Sequence, residues 1–189
     1  LAALGGMETI GAALAHSEFR DFTVNFLTRE ARPVLPPIAG IDLDQYVASI
    51  IARFSNTSLE DQISRLCLDG SVKFPKFLLP TVRAQLDAGG PIGLSTLALA
   101  GWCEYLSGAP GRLAADPMLD RAVNHARRAQ NNPRAFLGFP EVFGNDLPQS
   151  RRFSDTFAQA LRSLRERGVE SAIVTALKEA EDLGDRPVD

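Results

Sequence analysis

Apolar residues recur at three- and four-residue intervals along almost the whole chain, the spacing of one buried face of an α-helix. With Ser17 as its cap, a first clear helix carries Phe19, Phe22, Phe26 and Leu27 on one side and must end before the PVLPP run at 33–37. Asp42 or Asp44 opens the next, with Tyr46, Val47, Ile50, Ile51 and Phe54 expected inward. Beyond the SNTS turn at 55–58, a shorter helix runs through Ile63 and Leu66 to a turn at Asp69-Gly70-Ser71. A helix from Pro75 to Ala88, disturbed at Pro80, closes at Gly89-Gly90, and Pro91 opens another through Leu94, Leu97, Ala98 and Trp102. Asp116-Pro117 starts a helix carrying Met118, Ala122, Val123 and Ala126. Residues 131–150, rich in Asn, Pro and Gly, read as a loop whose Phe136, Phe139 and Phe143 fold back onto the body. Two final helices, Ser154 to Arg167 and Val169 to Leu183, are separated by Gly168 and followed by a polar tail expected to fray.

No segment alternates strictly between apolar and polar positions, and no period of solenoid length repeats. The pattern therefore predicts an all-α fold: a single multi-helical domain with at least seven helices and essentially no sheet. The opening run LAALGGMETIGAALAH is apolar, too short to span a bilayer, interrupted by Glu8, and without the basic start of a signal peptide. It reads as the interior of a helix with no cap before it, presenting Leu4, Ile10 and Leu14 to the body. On that reading the chain is expected to be the C-terminal piece of a longer protein.

Composition narrows the function. Across 189 residues, 20 basic and 23 acidic side chains give a net charge of −3, which supplies no general attraction to nucleic acid or to an anionic membrane. Two Cys and two His, without CxxC or HxxxH spacing, exclude the usual structural zinc sites, and no metal is expected. Cys67 and Cys103 lie in apolar sequence and read as reduced core thiols of a cytoplasmic protein. His16 and His125 lack a partnered nucleophile and read as structural or surface residues, while Asp42 with Asp44 reads as a capping pair. Arg127-Arg128 and Arg151-Arg152, without interleaved exposed aromatics, read as solvated helix faces or salt bridges.

The segment Arg53 to Pro80 concentrates unusual residues. It holds Arg65 and two of the chain's three lysines, Lys73 and Lys76, between a glycine turn and Pro75. Two readings stand side by side. Arg65 and Lys73 donate hydrogen bonds to hydroxyls or a carboxylate of a small substrate, or they pair with Asp61, Asp69 or a helix C-terminus and hold the turn. Spacing alone favours the second.

The run R-L-C-L-D-G-S-V-K-F-P-K-F at 65–77 resembles the C-terminal domain of the mannitol dehydrogenase family, the long-chain polyol and hexuronate dehydrogenases that use a nicotinamide coenzyme. The resemblance extends through GWCEYLSG at 101–108, ADPMLD at 115–120 and FGNDL at 143–147; it departs at Asn56-Thr57, where the family usually has Asn-Pro. It implies that residues 1–189 are the helical, substrate-side domain of a two-domain enzyme. An N-terminal Rossmann domain is then the partner that holds NAD or NADP, and a catalytic K-x4-N-x2-H signature lies upstream of Leu1. It further implies that Arg65 and Lys73 bind a small polyol or sugar acid, that no catalytic or coenzyme-binding residue lies in this chain, and that the piece alone is inactive. No Gly-rich phosphate loop is present in the sequence, in keeping with that division. The polyol branch, mannitol 2-dehydrogenase-like, is the expected activity. The alternatives are a hexuronate oxidoreductase resembling fructuronate reductase, or a helical interaction module without catalysis.

Overall fold

The stretch from residue 93 to 108 offers apolar or small side chains in every direction, and it becomes the helix around which the others pack. A computed structural model describes residues 1–56, 61–108 and 116–184. Eleven α-helical segments follow in order among them: α1 (Ile10–Ala15), α2 (Ser17–Asn25), α3 (Leu43–Phe54), α4 (Ile63–Leu66), α5 (Gly70–Lys73), α6 (Leu79–Asp87), α7 (Gly93–Gly108), α8 (Leu119–Arg128), α9 (Pro140–Phe143), α10 (Arg151–Arg167) and α11 (Val169–Gly184). No strand occurs among the described residues; there are two isolated antiparallel bridges, Thr9 with Gln62 and Ile38 with Ile41. The all-α expectation holds. Thr57 and Ser58 of the predicted turn, Thr57 as the departure from the family pattern, Ala115 and the polar tail lie outside the described residues.

Helices α8, α10 and α11 pack on α7, which buries Leu94, Leu97, Leu99, Ala100, Cys103 and Leu106. The loop phenylalanines 136, 139 and 143 are fully buried, as are Phe153 and Phe157 of α10. Their rings continue from Trp102 on α7: Trp102 to Phe136 at 5.2 Å, Phe136 to Phe143 at 5.4 Å and Phe136 to Phe157 at 5.8 Å. Edge-to-face and stacked pairs at such spacing add to the gain from burial.

Glu30 is fully buried at the start of α7. Its carboxylate accepts the N–H groups of Leu94 at 2.7 Å and Ser95 at 2.8 Å, together with the Ser95 hydroxyl. Its backbone carbonyl accepts from the Gln85 side chain at 2.6 Å. Burial pushes the Glu30 carboxyl above its usual range, and the donors at the helix end oppose that shift. The first amides of an α-helix have no partner of their own, and here a carboxylate from 64 residues upstream supplies one.

Three local expectations change. The opening helix is a turn over residues 2–6, ending at Gly6 with φ 75°, followed by the short α1. Thr9, inside the apolar run, caps α1 by accepting from the Ala12 N–H at 3.1 Å, and Leu14 is buried while Leu4 and Ile10 are half-buried. Ser17 is the first residue of α2 and not its cap. Tyr46 is 53% exposed, because α3 lies at the edge of the domain and buries fully only Val47.

Candidate functional site

A departure from regular helix lines the site. The predicted helix from Pro75 begins earlier, at Gly70, and widens into a π-helical turn, Phe74–Leu78, before continuing as α6. In a regular helix the Pro80 ring would collide with the carbonyl four residues back. The wider turn relieves that and swings Phe74, Phe77 and Leu78 to one side. A second π-helical turn, Phe26–Ala31, ends α2 and contributes Phe26. Such turns recur at functional sites.

Between the two turns lies a cavity of about 480 Å³. Its wall is mainly carbon, from Phe22, Phe26, Phe74, Phe77, Trp102 and residues 1–3. The titratable side chains on its lining are Lys73, Cys67 and Tyr105. One rim is tied by a strap: Ile10 N–H donates to the Asp61 carbonyl at 3.0 Å, and Ile63 N–H donates to the Glu8 carbonyl at 2.8 Å. Gly70 is required by a close approach, since a Cβ there would lie 2.5 Å from the Trp102 Nε1. Phe74 packs on the same indole with centroids 4.8 Å apart.

Lys73 closes α5 and faces this cavity, its Nζ 3.5 Å from the Leu66 carbonyl. Arg65 is placed differently. It is 68% exposed, donates to Asp61 at 2.6 Å, and its side chain is not part of the cavity lining. This is the pairing that spacing favoured. Lys76, on the outer side, lies over the ring of Phe77, which is 67% exposed.

The remaining candidates fall where the sequence put them. His16 is exposed between α1 and α2, and His125 stacks on Phe139 at 5.0 Å. Asp42 caps α3 by accepting from the N–H groups of Asp44 and Gln45, and Asp44 pairs with Arg32 at 2.7 Å. Both cysteines are free. Burial raises the Cys67 thiol and pushes Cys103 up to about 12, so neither is poised as a thiolate. Among the described residues no three His, Cys, Asp or Glu side chains gather to hold a metal ion, and no helix is long and apolar enough to cross a membrane. Sequence reasoning missed the aromatic walls, Phe22, Phe26 and Trp102, because their periodicity was that of ordinary core.

By class, this is an all-helical domain with a ligand-sized, carbon-walled cleft on one face and an ammonium at its rim. The chain belongs to the family described as the mannitol dehydrogenase C-terminal domain, whose profile matches residues 1–165. A mannitol 2-dehydrogenase of Pyrenophora tritici-repentis is 36% identical over 166 residues, covering 87% of this chain and 29% of that protein. The solved Pseudomonas fluorescens mannitol 2-dehydrogenase, a ternary complex with NAD and D-mannitol, superposes with a TM-score of 0.84 at 29% identity, over 96% of this chain and 37% of that one. A substrate-free D-sorbitol dehydrogenase superposes at 0.80 with 26% identity, over 91% of this chain and 36% of its own. The chain thus spans about a third of the length of these relatives.

Proposed function

We propose that this chain is the substrate-side domain of a cytoplasmic, NAD-dependent polyol dehydrogenase of the mannitol 2-dehydrogenase kind, oxidising a secondary alcohol of a polyol to a ketose. The observation that carries the reading is Lys73: it lies in the most specific stretch of the family resemblance and is the cation on the cavity lining. Likeness to a structure described with NAD and D-mannitol supports the choice of coenzyme and substrate class.

On this reading the coenzyme is held mainly outside this chain. Gly5-Gly6 lies in a turn before α1 and Gly89-Gly90 follows α6, and neither joins a strand to a helix as a dinucleotide-binding turn does. Holding it falls to a Rossmann domain outside residues 1–189, and when bound it supplies the hydride acceptor. This chain's own share is recognition. The Lys73 ammonium has three N–H donors to offer hydroxyl oxygens at the rim, and the Phe74 and Trp102 rings keep water off one side of the substrate. Arg65 joins this set by exchanging Asp61 for a substrate oxygen. Binding energy taken from non-reacting hydroxyls orients the carbinol carbon.

The test is steady-state kinetics of the intact protein. Lys73→Ala is expected to raise the KM for mannitol, with kcat/KM falling by about 1–3 kcal/mol and coenzyme affinity unchanged. Arg65→Ala behaves similarly, and Arg65→Lys does not restore it, because a planar fork and a point charge donate differently. Normal mannitol kinetics in both alanine variants would remove these residues from the site.

A further inference from the structure

Asp116 makes a contact that neither the family resemblance nor the cavity lining explains. Its carboxylate accepts the Ser71 backbone N–H at 2.8 Å and the Ser71 hydroxyl, across 45 residues of sequence, and also the Met118 N–H at 2.9 Å. Ser71 is buried and is the second residue of α5, the turn that opens the helix and carries Lys73 before the π-helical turn. Asp69, at φ 57°, turns the chain into α5, and its carbonyl accepts from Val72 at 3.0 Å and Lys73 at 2.8 Å. On the other side, Gly70 lies against the Trp102 indole.

α5 is the first turn of a helix that runs on through the π-helical turn into α6, and the first amides of a helix, that of Ser71 among them, have no partner inside it. This first turn is held against fraying from outside, by the indole behind Gly70 and the carboxylate that grips Ser71 through two donors. We propose that Asp116 is a positioning residue for Lys73: by holding Ser71 it fixes α5 and the direction in which the Lys73 ammonium enters the cavity. The kinetic consequence rests on the reading of Lys73 as a polyol ligand. The geometric consequence does not.

The two are tested separately. In the intact protein labelled by reductive ¹³C-methylation, the dimethyl-lysine NMR signals of Lys73 and Lys178 are identified by their loss in Lys73→Arg and Lys178→Arg. In Asp116→Ala the Lys73 signal is expected to shift while that of Lys178, on α11, stays in place. An unmoved Lys73 signal in a folded Asp116→Ala protein would overturn the proposal whatever the kinetics. In the intact dehydrogenase, Asp116→Ala is expected to raise the mannitol KM about tenfold with the coenzyme KM unchanged, and to add nothing in a Lys73→Ala background. Additive effects in that double variant also overturn it. Should Asp116→Ala fail to fold, Ser71→Ala removes only the hydroxyl contact and is expected to move both readouts in the same direction by less; no movement in either sinks the idea. If Lys73→Ala alone leaves the mannitol KM unchanged, the substrate reading of Lys73 fails, and the proposal stands or falls on the NMR signal.

Discussion

Arg83 and Asp146 tie α6 to the loop before α10 through two hydrogen bonds, Nε to Oδ2 at 2.6 Å and a second guanidinium N–H to Oδ1 at 3.0 Å. A further Arg83 N–H reaches the Phe143 carbonyl at 3.1 Å. The guanidinium holds the Asp146 carboxyl down at about 2, from an ordinary 3.8. A carboxyl depressed in the folded state stabilises the fold above its ordinary value and loses that contribution as the pH falls towards the folded one. The gap in thermal midpoint between the parent and Asp146→Asn is therefore expected to be open above about pH 4 and to narrow towards pH 2. A gap that stays constant across that range would mean that the pair does not couple to stability. The FGNDL motif was legible in the sequence, but its partner was not, because Arg83 lies 63 residues away. The same holds for Ser71 and Asp116, whereas the Arg65–Asp61 pair, four residues apart, was anticipated from spacing.

Among the elements, α7 shows how a local signal and a distant one divide the task. Pro91 and the spacing of Leu94, Leu97, Ala98 and Trp102 announced a helix, and its burial on nearly every side emerged only with the packing. Its N-terminal partner is Glu30, on a π-helical turn that no periodicity marked. Glu30→Ala would leave two amides and the Ser95 hydroxyl unpaired in the interior, so a loss of about 2–4 kcal/mol is expected in chemical denaturation. Glu30→Gln, which keeps one acceptor, should lose less. A change within about 0.5 kcal/mol for the alanine variant would show that water replaces the carboxylate there. The opening segment erred in the other direction: its apolar content suggested one helix, and Gly6 at positive φ with Thr9 as a cap divided it.

At the scale of the whole molecule, the aromatic chain running from Phe74 through Trp102 to Phe136 joins the cavity wall to the core. The cavity's carbon lining cannot satisfy a polyol's hydroxyls on its own, and Lys73 serves only one rim. The isolated chain is therefore expected to show no mannitol oxidation with NAD and no mannitol binding tighter than about 1 mM by calorimetry. It should also bind an apolar dye such as anilinonaphthalene sulfonate at this face, and Phe77→Asp should weaken the dye signal. Tight mannitol binding by the chain alone would contradict the division between domains.

Sequence by itself determined the all-helical class, most helix positions, the folding back of Phe136, Phe139 and Phe143, and the family, because each rests on periodicity, on turn residues or on a contiguous motif. The tertiary structure decided which charged groups face a common space. It drew Lys73 to the cavity and left Arg65 with Asp61 outside it, and it brought Asp116 to Ser71 and Glu30 to the head of α7. Helical periodicity reports which side of an element is buried, whereas a buried hydrogen bond depends on where two remote elements meet, and that follows only once the core has packed.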